Sequence, residues 1–141
     1  MKFIALSFKH FSIVLVLMLC CCFVSCSTSQ SIRGASLSNG IERTFNREMT
    51  VVLPSLRQAL KEEQMTITFD STFDEKTHII ISETPVSGFS WGEVIRVVAI
   101  KRGDDKTALR VLTERKMATN VFANGDYSTN IFFKVGQKLP K

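Results

Sequence analysis

No cysteine follows Cys26 in this chain of 141 residues; all four lie at positions 20–26. A disulfide framework and a thiolate metal site are therefore excluded from the remaining sequence. Histidine is nearly as scarce, with His10 and His78 the two present. A single histidine without a thiol does not supply the three or four clustered ligands that zinc needs, so no metal and no other cofactor is expected. A phosphate-binding loop is also missing: Gly88 and Gly92 in "SGFSWGE" have no lysine after them. Acidic residues are absent before Glu42. Past residue 25 the chain holds 16 of its 18 Lys and Arg against all 13 Asp and Glu, a net charge of +3. That excess is too slight to indicate a nucleic-acid partner.

What is present begins with an apolar run. Lys2, Lys9 and His10 precede Phe11 to Val24, the basic start and apolar stretch of a secretory signal peptide. The run is short for a membrane span of about 20 residues. Phe3 to Val24 would reach that length as a retained span, but Lys9 and His10 interrupt it. The segment "FVSC" at 23–26 resembles the lipobox of bacterial lipoproteins, with Phe23 where leucine is usual. The resemblance implies a signal peptide over 1–25 and a diacylglycerol on the Cys26 sulfur. It implies cleavage just before Cys26, followed by acylation of the new amino terminus. Two or more acyl chains anchor a protein stably where one does not. Ser27, rather than aspartate, then implies an outer-membrane location facing the periplasm. Cys20, Cys21 and Cys22 read as apolar filler that leaves with the signal peptide; palmitoylation in a eukaryotic cell is the other reading.

The small polar residues of 26–40, "CSTSQSIRGASLSNG", predict a flexible tether after the lipidated cysteine. Residues 41–141 then predict a single domain. "IERTFNRE" (41–48) fits a short edge strand. A helix over 50–63 carries Val52, Leu53, Leu56, Ala59 and Leu60 as its apolar stripe. Met65, Ile67 and Phe69 alternate with polar residues as a half-buried strand. "THIIISE", "EVIRVVAIK" and "TALRVLTER" read as three more strands, the middle one central. A last helix over 127–139 puts Tyr127, Ile131, Phe132, Val135 and Leu139 on one side. The expected fold is α+β: an antiparallel sheet of 4–5 strands with two helices on one face, in the order β-α-β-β-β-β-α. Residues 50–139 also resemble small uncharacterised α+β bacterial lipoproteins. That likeness, in "ALKEEQMTI" and "IFFKVGQKL", implies a fold and no activity.

Catalytic sets are poorly represented. His78 reads as a strand residue on the more solvated face. Asp104 with Asp105, Glu62 with Glu63, and Asp70, Asp74 and Glu75 sit at predicted turns or helix ends, where acidic residues are common for local reasons. The candidate binding residues lie elsewhere. Phe89 and Trp91 form an aromatic pair between glycines, and Phe122 lies in a long loop at 116–128. Arg96 and Arg110 are placed to make the open face of the sheet positive. The expected function is that of a non-enzymatic, lipid-anchored envelope protein that binds another envelope protein. One alternative is a small-ligand or lipid-binding module with a pocket between helices and sheet, lined by Phe69, Phe89, Trp91 and Phe122. A carboxylate enzyme using Asp70, Asp74, Glu75 and Glu83 is the other.

Overall fold

Alternation along the three most apolar strands decides the architecture. The computed structural model describes residues 28–88, 90–116 and 125–140. Its elements are α1 (Thr28–Gly34), β1 (Ile41–Phe45), α2 (Met49–Glu62), β2 (Thr66–Asp74), β3 (Thr77–Glu83), β4 (Glu93–Lys101), β5 (Thr107–Arg115) and α3 (Ser128–Lys138). The fold is α+β. Five strands form one antiparallel sheet in the order β1-β5-β4-β3-β2. The chain crosses from one edge of the sheet to the other through α2.

On one face, Ile80, Ile95, Val97, Ala99, Leu109 and Val111 meet Val52, Leu56, Ala59 and Leu60 of α2 and Ile131, Phe132 and Val135 of α3. Leu56, Leu60, Ile80, Ile95 and Ile131 have no exposed surface, and each such side chain contributes about 1.5–3 kcal/mol by leaving water. Phe45 closes the β1 edge of this core against Phe132, with ring centroids 6.4 Å apart. Pro54 is accommodated inside α2, although its missing N–H removes one helical bond.

The opposite face carries Ile79, Ile81, Val94 and Leu112, and Ile32 of α1 packs on them without any exposed surface. This corrects the expectation of a flexible tether. Residues 28–34 form a helix on the sheet, because a face with this much apolar surface is stabilised by a cover. It also corrects the expectation of an open, positive face. Arg96 is 1 % exposed, and Arg110 lies mostly under the same segment. Two helices do share one face, as the sequence predicts, and a third covers the other.

Strand β2 departs from simple alternation. The register slips between Ile67 and Phe69 and again between Thr72 and Asp74. One extra residue moves the following side chains to the other face. Phe69 therefore leaves the helix-covered face and lies exposed opposite Ile81, with the Arg33 guanidinium 5.2 Å from its ring centre. Phe69 is thus not part of a pocket between helices and sheet.

Candidate functional site

The β3–β4 connection builds a cleft at one end of the sheet. Beyond the last ladder pair, the Thr84 N–H donates to the Glu93 carbonyl, and Ser87 and Ser90 bridge across the turn. Gly92 has a φ of +83°, and a Cβ there would lie 2.7 Å from the Thr84 carbonyl oxygen. Only glycine permits this close crossing. The end of α2, this connection and the start of α3 border an open cleft of about 660 Å³. Gln64, Thr84, Ser87, Ser90, Glu93 and Asn130 are among its walls.

Glu93 forms the floor. It is 2 % exposed, and its carboxylate accepts from the Tyr127 hydroxyl at 2.9 Å, the Gly125 N–H at 3.3 Å and the Thr84 hydroxyl at 3.4 Å. Its own N–H donates to Thr84 Oγ1 at 2.7 Å. These three donors to the carboxylate are neutral, so they fix its position without an opposing charge. Two further carboxylates border the space. Asp126 accepts from Ser128, through both its N–H and its hydroxyl, at the start of α3. Glu63 is paired with Lys134 at 2.6 Å. The cleft is therefore a hydrogen-bonding, acidic surface suited to a cationic or donor-rich group.

Of the residues singled out from sequence, Trp91 stands at this end, 58 % exposed. Cys26, Phe89 and Phe122 lie outside the described residues. Arg96 and Arg110 share a face, as strand alternation requires, but it is the face under α1. The Arg96 guanidinium donates to the carbonyls of Ile32 at 2.9 Å, Ala35 at 2.6 Å and Ser36 at 2.8 Å. Arg110 donates to the Leu37 carbonyl at 2.6 Å and to Glu42. These carbonyls end α1 and start the next turn, where a helix leaves its acceptors unused. Burial pulls the Arg96 pKa below its ordinary value, partly offset by Glu114. Both arginines clamp the N-terminal segment and are not free to meet a partner.

A second polar cluster was not legible from sequence. Asp70 of β2 accepts from Arg57 of α2 at 2.7 and 3.0 Å and from His78 Nε2 of β3 at 2.6 Å. His78 Nδ1 lies 3.1 Å from Thr72 Oγ1. His78 is 8 % exposed and faces α2, not the solvated face expected for it. The inversion follows from its pairing with Ala99, which points into the helix-covered core. The order Thr–His–Asp is that of a nucleophile, a base and its orienting group. Here, however, both Asp70 oxygens are engaged by Arg57, so the cluster acts as a tie between helix and edge strand.

The Arg57 bond, with a smaller contribution from His78, holds the Asp70 carboxyl down from 3.8 to about 2. A folded-state pKa below the unfolded one stabilises fully above about pH 4, and that contribution disappears as pH falls through about 2. Solvent reaches this pair, so Asp70→Asn is expected to cost about 1–2 kcal/mol at neutral pH. The penalty should vanish by pH ~2. Urea unfolding of both proteins at several pH values measures it; a difference independent of pH would refute the assignment.

Among the described residues, no group of three or more His, Cys, Asp or Glu is placed to hold a metal ion. No helix among them is long and apolar enough to cross a membrane. No protein-family model matches the chain, and a search of curated proteins finds no match.

Proposed function

We propose that this is a lipid-anchored protein of the bacterial cell envelope, acting as a non-enzymatic binding module that offers the β3–β4 cleft to another envelope protein. The lipobox-like "FVSC" supports the anchor. The observation that carries the binding reading is Glu93, a buried carboxylate fixed by neutral donors at the floor of an open polar cleft. A charge removed from water costs free energy unless it is compensated, and a lysine or arginine from a partner would compensate it.

A small-ligand reading of the same cleft is favoured by its volume, which falls within the roughly 300–1,000 Å³ usual for ligand sites. Its wall of hydroxyl, amide and carboxylate groups differs from the mainly apolar lining of such sites and favours a polar protein surface. The outer membrane facing the periplasm remains the proposed location.

The anchor is tested by intact mass measurement of protein extracted from membranes. The expected mass is that of residues 26–141 plus a diacylglycerol and one acyl chain; an unmodified full-length mass refutes it. The binding reading is tested in native membranes with a photo-crosslinking residue at Asn130, on the rim of the cleft. A discrete protein adduct should form there and not from Asp104, in the fully exposed turn between β4 and β5. No adduct from Asn130 would overturn the reading, and transfer to a small molecule would favour the alternative.

A further inference from the structure

The covered face of the sheet gives the anchor a direction. Ser31 Oγ, near the start of α1, donates to Glu114 at 2.8 Å, in the row of Val94. Ala35 and Ser36, just past α1, meet Arg96, and Leu37 meets Arg110 two residue pairs further on. The segment therefore runs along the strands, and α1 begins at the end of the sheet where β4 starts and β5 stops. Trp91 and Val86 are at that same end, 58 % and 61 % exposed. Trp91 is three residues from Val94, no more than about 10 Å of extended chain. Arg115, also exposed, lies across the β4–β5 ladder from Glu93 at this end.

Only Ser27 separates Cys26 from Thr28, a reach of at most about 7 Å. We infer that the α1-covered side of this end rests on the bilayer, with Trp91 and Val86 entering the interfacial layer beside the lipid anchor, while the cleft opens on the side of α2 and α3. The inference rests on lipidation at Cys26 and adds to it an orientation. A domain on a long flexible tether would sample every orientation. Here Ser31, Ile32 and the Arg96 clamp hold α1 to the sheet, and α1 begins two residues after the lipidated cysteine, so the anchor and the exposed Trp91 approach the membrane together. Tryptophan favours this layer because its ring is apolar and its N–H is a donor. Arg115 would meet lipid phosphates there, while Lys116 is already paired with Glu83 at 2.6 Å.

Trp91 is the sole tryptophan and serves as the probe. Protein extracted from membranes is reconstituted into vesicles of phosphatidylethanolamine with a minority of phosphatidylglycerol, with and without acyl-brominated lipid. Flotation with the vesicles is scored first. Trp91 emission should be quenched about twofold or more by brominated lipid and should be less accessible to aqueous iodide than in lipid-free residues 26–141 carrying Cys26→Ser, made without the signal segment. Moving the tryptophan to the far end of the sheet, as Trp91→Phe with Phe73→Trp, should restore full iodide quenching. Protein that fails to float refutes the anchor, and the orientation with it. Protein that floats while Trp91 remains open to iodide refutes the orientation alone.

Discussion

Arg96→Met should release residues 28–40 from the sheet while the core between the sheet and α2 and α3 stays folded. Methionine keeps most of the apolar stem but removes three charge-assisted hydrogen bonds to main-chain carbonyls. Left buried and unpaired, each carbonyl would cost about 1–3 kcal/mol. The cheaper response is to expose all three to water by lifting the segment. The loss is then limited to the docking free energy, chiefly Ile32 burial and the three bonds. Amide exchange within 28–40 should accelerate on the order of a hundredfold, with β4 and α2 amides much less affected. Arg96→Lys should recover only part of the protection, since one ammonium does not span three acceptors as a planar guanidinium does. Unchanged protection would show that the clamp does not hold the segment.

Gly40→Ala is expected to destabilise the whole domain by roughly 2–4 kcal/mol. Gly40 has a φ of +115°, and a Cβ there would lie 2.4 Å from the Val111 carbonyl oxygen. The obstacle is backbone of β5, which cannot rotate away. Relief requires moving Ile41 off Val111, the first pair of β1, and β1 is an edge strand of five residues. Gly103→Ala separates steric from conformational effects. Its φ is +97° but no atom lies within 4 Å of its would-be Cβ, so the expected loss is only about 1–2 kcal/mol. Urea unfolding measures both. Equal losses would mean that the contact with Val111 carries nothing.

Periodicity carried most of the architecture. Strands β3, β4 and β5 are rich in β-branched residues, α2 and α3 repeat apolar residues at helical spacing, and the turns between them are polar. The alternation of Ile95 and Val97 against Val94 and Arg96 also placed Arg96 and Arg110 on one face. Their role was read wrongly because alternation assigns a face and not what covers it. The cover, residues 28–37, offers one large apolar residue that becomes fully buried, Ile32, among serines and glycine. A segment with one anchor point has no periodic signal.

The two polar groupings show the same division. Thr72 opposite His78 follows once the β2–β3 turn is placed, but Arg57 reaches Asp70 only after α2 has packed on the sheet. Glu93 opens the central strand and reads locally as an ordinary charged strand end. Its burial depends on Tyr127 and Gly125, more than thirty positions away. Side-chain periodicity and turn chemistry are local, so the amino-acid order by itself determined the strands, the two long helices and their inward faces. Which polar groups are buried together, and where residues 28–40 lie, are long-range choices. They were decided only in the tertiary structure, where a buried charge must find its partners and an uncovered apolar face must find its cover.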